Sequence, residues 1–104
     1  MAYILSFSVE PLRGAVLVEH IKALGEWAEL TPSTYVLRCE VKPGSIMETL
    51  QPMLGPKDCL WVFQVRGPWA GYGDPLVEES VGAWVSSEAS WVPRDWDETT
   101  QGRP

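Results

Sequence analysis

The stretch that decides the fold is 58-DCLWVFQVR-66, the strongest strand pattern in the chain. Its apolar side chains occupy both alternating positions, with one set on each side: Cys59, Trp61, Phe63 and Val65, then Leu60 and Val62. A strand that is apolar on both faces belongs in the interior of a sheet or beneath a partner. We expect this stretch to be the last strand of the domain, and the elements before it indicate which sheet it joins.

The chain begins with a second strand pattern, 3-YILSFSVEP-11. Tyr3, Leu5, Phe7 and Val9 alternate with Ile4, Ser6 and Ser8. This alternation predicts a strand with one face in the core. Pro11 ends it, and residues 12–24 then repeat apolar groups at helical spacing up to Gly25, a common stop at the end of a helix.

Between this helix and the last strand, the sequence predicts a hairpin and a second helix. The extended runs 26–30 and 33–41 are separated by Thr31-Pro32, which favours a short turn. Ser45 followed by Glu48 predicts a capping box at the start of the second helix. Pro52 falls inside that helix and is expected to kink or shorten it.

The predicted order is therefore β-α-β-β-α-β, an α+β arrangement of the ferredoxin-like class with both helices on one face of an antiparallel sheet. In that class the first and last strands are neighbours, which predicts the strand order 4-1-3-2. We expect the domain to cover residues 1–85, including a short helix that begins at Asp74-Pro75 and ends near Val85. The acidic segment 86–104, with two tryptophans, is expected to be a flexible tail.

Composition narrows the possible functions. The chain has 104 residues, a net charge of -6 and eight basic residues scattered along its length. Nucleic-acid interfaces normally cluster Lys and Arg, so general binding to DNA or RNA is not expected. No apolar run approaches the roughly 18 residues of a membrane span, and two cysteines do not make a disulfide scaffold. These features favour a cytoplasmic protein with reduced thiols.

The predicted sheet leaves one face without helices, and we expect this face to form a homodimer interface. An aliphatic sheet face is unlikely to stay exposed in a monomer. The side chains assigned to it are Ile4, Ser6, Ser8, Val36, Arg38, Leu60, Val62 and Gln64. The glycine-rich link 67-GPWAGYGD-74 is expected either to bind a partner through Trp69 and Tyr72 or to pack as a lid over the sheet edge.

Four stretches of the chain resemble the small CRISPR-associated ferredoxin-like proteins that act as the dimeric partner of the spacer integrase, and most of all their stand-alone SinR-like relatives. They are 1-MAYILSFSV-9, 25-GEWAELTPSTYVLRCEV-41, 57-KDCLWVFQVRG-67 and 69-WAGYG-73. The resemblance covers about residues 1–85. It implies a homodimer formed through the open sheet faces, sometimes with C-terminal segments that cross to the other subunit.

The resemblance also implies a possible metal-dependent endonuclease, in which an aspartate near the end of the first strand holds a divalent cation together with its dimer mate. Here that position is Ser8, a vestigial site in which a hydroxyl replaces the carboxylate that a hard cation prefers. A nuclease would need Glu10, Asp58 or Asp74 to replace it. We therefore expect no metal or other cofactor, with magnesium required under the nuclease alternative alone.

The single histidine and the two cysteines are not expected to form a catalytic site, a metal site or a disulfide. His20 is the single histidine, and it is expected at an exposed helix position with no nucleophile beside it. Cys39 and Cys59 are expected as buried thiols under the helices, about two strand spacings apart, which is too far for a disulfide.

Three functions remain open from the sequence. The first is a catalytically silent dimeric protein that acts by protein contact. The second is a divalent-metal endoribonuclease or deoxyribonuclease. The third is a regulator in a toxin–antitoxin or phage-defence system. This alternative rests on the systems in which the resembled family usually occurs, and on no residue of this chain.

Overall fold

The computed structural model describes residues 1–67 and 69–86. The strands are Ala2–Ser8 (β1), Glu26–Thr31 (β2), Thr34–Arg38 (β3) and Cys59–Val65 (β4). The helices are Pro11–Lys22 (α1), Pro43–Leu50 (α2), followed by a 3-10 turn over Gln51–Met53, and Pro75–Ser86 (α3). Apart from Ser86, the segment predicted to be a flexible tail lies outside the described residues.

The four strands form one antiparallel sheet in the order β2-β3-β1-β4. This is the predicted order 4-1-3-2 read from the opposite edge, and the ferredoxin-like fold is confirmed. β1 lies between β3 and β4, and its central Leu5 is opposite Tyr35 on one side and Val62 on the other. β2 and β4 are therefore the two edge strands.

The main core lies between the sheet and the pair α1 and α2. Leu17 and Ile21 of α1 and Ile46 and Leu50 of α2 are completely buried. They pack against the alternating side chains of the strands, which are Tyr3, Leu5, Phe7, Tyr35, Leu37, Cys39 and Leu60. The 3.6-residue period of the helices meets the two-residue period of the strands here, as the sequence predicts.

The third helix packs on the opposite face of the sheet. Val85 of α3 forms a second cluster with Ala2, Ala28 and Val36 of the strands. Val77, Val81 and Trp84 of α3 pack against this cluster. The short helix predicted up to Val85 is confirmed, and it covers part of the sheet face that was expected to be open.

The helix starts show one correct and one wrong prediction. Asp74 caps α3, since its carboxylate accepts a hydrogen bond of 2.8 Å from the Leu76 amide. The capping box of Ser45 and Glu48 is wrong, because Pro43 starts α2 two residues earlier and the N-cap Lys42 makes no side-chain capping bond. Proline fits the first helical position because its fixed φ suits the helix and its missing N–H is not needed there.

The second helix also ends where its proline requires. α2 stops at Leu50, and the chain continues through the 3-10 turn that contains Pro52. A proline inside a helix removes a backbone donor and crowds the preceding turn. The predicted shortening of this helix is confirmed.

Candidate functional site

The orientation of β4 differs from the sequence prediction and changes the candidate interface. Leu60, Val62 and Gln64 are opposite Phe7, Leu5 and Tyr3 of β1. Directly opposed residues of an antiparallel pair share a face, so these three side chains lie on the side of α1 and α2. Their assignment to the open face is wrong, and Leu60 is 7% exposed within the main core.

The physical reason is that β4 carries large apolar side chains on both faces, so its alternation does not indicate which side faces the helices. The space under α1 and α2 is already occupied by the rings of Tyr3, Phe7 and Tyr35. The aliphatic pair Leu60 and Val62 fills the remaining space. The larger rings of β4 therefore lie on the other face.

The rest of the predicted interface divides between covered and accessible positions. Val36 is completely buried in the cluster beneath α3, so it is not available to a partner. Arg38 is exposed at the edge of that cluster, 3.9 Å from the Glu26 carboxylate. Ile4 and Ser6 are half-buried and Ser8 is exposed, all on the face opposite α1 and α2.

The orientation of β4 exposes Cys59, Trp61 and Phe63, which the sequence prediction placed on the side of the helices. Trp61 is 62% exposed and Phe63 is 55% exposed. They lie beside Ser6 and Ile4 of β1, and the exposed Cys59 lies opposite Ser8. We call this surface the β4 patch, and its residues are Ile4, Ser6, Ser8, Cys59, Trp61 and Phe63. The signal that could have located it is the pair of large rings at alternate positions of one strand.

The two cysteines have different environments. Cys39 is buried in the main core as predicted, whereas Cys59 is exposed on the β4 patch. The expectation of two buried thiols is therefore wrong for Cys59, because it shares the side of Trp61. Both cysteines are free thiols.

Ser8, the position at which the sequence resemblance implies a metal-binding aspartate, lies at the end of β1. It is exposed and borders a groove of about 650 Å³ between this strand end, α1 and the β2–β3 turn. Glu19 is the acidic residue among the described residues that line the groove. One carboxylate falls short of the several oxygen ligands that magnesium or calcium requires.

Two of the carboxylates that could replace the missing aspartate, those of Glu10 and Asp58, already form hydrogen bonds that stabilise the start of α1. The Glu10 carboxylate caps the helix by accepting hydrogen bonds of 3.2 Å from the amides of Leu12 and Arg13. Asp58 accepts bonds of 2.7 Å from Arg13 Nε and from the Gly55 amide, and one of 3.3 Å from the Glu10 amide. The Asp58 side chain is 5% exposed.

These contacts keep Asp58 ionised. The hydrogen bond from Arg13, helped by the bond from the Gly55 amide, lowers the pKa of Asp58 from 3.8 to about 2. The same pairing raises the pKa of Arg13. Asp58 therefore joins the start of α1 to the approach of β4, and its oxygens are occupied by protein donors.

The described residues contain no group of three or more His, Cys, Asp and Glu side chains that could hold a metal ion. The third replacement carboxylate, Asp74, caps α3. His20 is exposed on α1, with its Nδ1 2.9 Å from the Val16 carbonyl oxygen, as expected for a surface position. The structure brings none of the candidate metal ligands together around Ser8.

The two aromatic residues of the link have different positions. Trp69 packs into the cluster under α3, with its ring against Gly82, where an added Cβ would lie 3.5 Å from Trp69 Cζ2. Tyr72 is fully exposed. Both predicted roles therefore have a structural counterpart, since Trp69 packs as a lid and Tyr72 is accessible.

The opposite edge of the sheet is held by a polar pair. The Tyr35 hydroxyl donates a hydrogen bond of 2.9 Å to the Glu29 carboxylate of β2. Burial, together with this bond, raises the pKa of Tyr35 to about 12. Lys22 lies 4.3 Å from the Trp27 ring, a cation–π distance that attaches α1 to β2.

The sequence matches no protein-family model and no curated protein. A solved structure of Streptococcus pyogenes Cas2 is similar to this chain with a TM-score of 0.49 and 16% sequence identity, covering 62% of this chain and 86% of that one. A likeness at this level implies neither an activity nor a partner. No helix among the described residues has the length and apolar character needed to cross a membrane.

Proposed function

We propose that this chain is a dimeric ferredoxin-like protein that acts through protein contacts and has no nuclease activity. The observation that carries the proposal is the exposure of Trp61 and Phe63 side by side on one face of the edge strand β4. Aromatic residues are enriched where proteins meet, and they dominate the binding energy of such surfaces.

The charge of the β4 patch supports a second copy of the chain as the partner. The chain carries a net charge of -6, so two copies repel one another over most orientations. The patch itself contains no ionisable group apart from the Cys59 thiol. In a two-fold dimer the same surface meets itself, and an uncharged aromatic surface permits this contact.

The catalytic part of the proposal rests on the residues around Ser8. A serine occupies the position of the metal-binding aspartate of the resembled family, and Glu10 and Asp58 are engaged in capping and ion pairing. Freeing either carboxylate for a cation would remove the cap of α1 or leave Arg13 without its partner. The site therefore favours contact over catalysis.

The location of the contact is tested through Cys59. We expect its alkylation rate in the full chain to fall steeply as protein concentration rises, because the second copy covers it. Cys39, buried in the core of each copy, serves as the internal control, and its slow rate should not change with concentration. Peptide-resolved mass spectrometry separates the two rates. A Cys59 rate that is constant from nanomolar to high micromolar protein would exclude this surface.

The absence of nuclease activity is tested with labelled RNA and DNA in the presence of Mg²⁺ or Mn²⁺. We expect no metal-dependent cleavage by the natural chain. Ser8→Asp restores the carboxylate and is the control for whether the fold still supports cleavage. If the natural chain cleaves nucleic acid and EDTA abolishes this cleavage, the proposed lack of nuclease activity is refuted. The alkylation of Cys59 would then still decide whether the β4 patch is a contact surface.

A further inference from the structure

A cavity of about 720 Å³ lies between α3, the link over residues 69–74 and the sheet. This volume is within the range of small-molecule binding sites, about 300–1,000 Å³. Its floor is formed by Ile4, Leu30 and Val65 of three strands. Its wall is formed by Val77 and Val81 of α3, which follow one another at helical spacing.

Glu29 of β2 borders this cavity with its carboxylate bound to the Tyr35 hydroxyl, and the other charged groups lie at opposite ends of α3. Asp74 and Glu78 border it at the start of the helix, four residues apart and therefore on the same face. Arg66 borders it near the end of the helix, because the adjacent Gly67 amide donates to the Val85 carbonyl oxygen at 3.3 Å. A helix of 12 residues is about 18 Å long, so the guanidinium and the carboxylates are well separated.

The carboxylate end is the more open to a charged ligand. Glu78 forms no ion pair with any residue in the described ranges 1–67 and 69–86. Tyr72, which also borders the cavity, is fully exposed, so its ring is accessible to a ligand. Carboxylates together with an aromatic ring are the groups that attract an organic ammonium ion. The net charge of -6 adds to the attraction of a cation.

We propose that this cavity binds a small amphipathic cation, an organic amine with an aromatic or aliphatic body. The ammonium group lies against Glu78 beside Tyr72, and Asp74, whose carboxylate caps α3, adds its negative charge without acting as a direct ligand. The apolar body extends along Val77 and Val81 over Ile4. The cavity meets the β4 patch at Ile4, but its charged groups and its helix wall lie outside that patch, so the proposal does not depend on the self-association proposed above.

Arg66 favours a ligand of the opposite charge, a molecule with a carboxylate. It is the one basic residue among the described residues that line the cavity, against three acidic ones, Glu29, Asp74 and Glu78, and the net charge of the chain. A matched set of probes therefore decides the sign of the ligand charge: 4-phenylbutylamine, 4-phenylbutanoic acid and 4-phenylbutanol. Their apolar bodies are the same and their head groups are cationic, anionic and neutral.

The experiment titrates each probe into the ¹⁵N-labelled full chain and follows the amide signals. We expect the amine to bind most tightly, the alcohol less tightly and the acid least, with shifts concentrated at Val77, Val81 and Tyr72. Tightest binding of the acid would overturn the proposal. The absence of shifts at the cavity with the amine would overturn it as well.

Two pairs of variants locate the binding. Glu78→Gln should weaken amine binding by about fivefold, the value of one exposed charge pair of about 1 kcal/mol. Glu79→Gln makes the same charge change on the neighbouring residue outside the cavity and should leave the affinity unchanged.

The second pair tests the apolar part. Val81→Trp should obstruct the apolar wall along which the probe lies and weaken binding of the amine and the alcohol at least tenfold, whereas Leu76→Trp on the exposed side of α3 should not. Circular dichroism verifies that each variant remains folded. Equal affinities in Glu78→Gln and Glu79→Gln, or unchanged binding in a folded Val81→Trp, would place the amine elsewhere and refute the proposal.

Discussion

Asp58 joins two parts of the chain that are distant in sequence, the start of α1 and the loop before β4. Its carboxylate accepts hydrogen bonds from the Arg13 side chain, the Gly55 amide and the Glu10 amide. It thereby orients the start of α1 relative to the loop that leads into β4. A residue considered as a possible metal ligand from the sequence is, in the fold, a structural acceptor.

Asp58→Asn is expected to lower stability at neutral pH and to flatten its decline in acid. The folded pKa of about 2 is below the unfolded value of 3.8. The contribution of this carboxylate is therefore complete above the unfolded pKa and is lost as the pH falls toward 2.

Urea denaturation of both chains between neutral pH and pH 2 measures the difference. The denaturation midpoints should be well separated at pH 7 and should converge in acid. Glu48→Gln, at an exposed carboxylate of α2, is the matched control and should follow the natural chain. A constant separation between Asp58→Asn and the natural chain at every pH would contradict this role.

Tyr35 provides a second titration with the opposite sign. Its pKa is raised to about 12 in the folded chain from the ordinary value of 10.0. The stability that it contributes is therefore complete below pH 10 and is lost as the pH rises toward 12. Ultraviolet titration at high pH should show a late-ionising component whose amplitude falls by one tyrosine in Tyr35→Phe. An unchanged amplitude of the late component in this variant would contradict the assignment.

Among the elements of the fold, β4 is the strand whose position the sequence predicts and whose orientation it does not. Its position beside β1 follows from the order of the elements. Its orientation does not, because both faces of the strand carry large apolar side chains and either face satisfies the pattern. Orientation was set by the packing under α1 and α2, which depends on side chains from β1 and β3.

The two faces of β4 should respond differently to truncation. Leu60→Ala removes a core side chain and should lower the free energy of unfolding by about 2–4 kcal/mol. Trp61→Ala, at a position that is 62% exposed, should cost less than about 1 kcal/mol. Urea denaturation in dilute solution, where self-association does not contribute, measures both. The reverse order of the two losses would mean that the strand faces the other way.

Gly25, which lies between α1 and β2, packs closely against the backbone at the end of β3. A Cβ at this residue would lie 2.3 Å from the Arg38 carbonyl oxygen, so the backbones approach too closely for a side chain. Gly25→Ala should lower stability by about 1–3 kcal/mol, the usual cost of overpacking.

Gly44 is the control, because nothing lies within 4 Å of its added Cβ and it is inside α2. Gly44→Ala should be neutral or stabilise the chain by up to about 1 kcal/mol. Thermal denaturation distinguishes the two variants. Equal melting temperatures for both alanine variants would contradict the close approach at Gly25.

For the whole molecule, the important feature is the unequal covering of the sheet. α1 and α2 cover one face, whereas α3 covers the other face over β2 and β3 and leaves the β4 patch exposed. The helical pattern of α3 is visible in the sequence. The face on which it packs is not, because a short apolar stripe fits either side of a sheet.

The central claim is that the β4 patch is covered by a second copy in solution, and the mass of the full chain by light scattering tests it most directly. We expect twice the chain mass of 11.6 kDa at micromolar concentration, and a mass close to one chain for Trp61→Ser. Leu12→Ser, at an even more exposed position on α1, should remain dimeric. A mass of one chain for the natural protein throughout the micromolar range, or an unaltered dimer in Trp61→Ser, would contradict it.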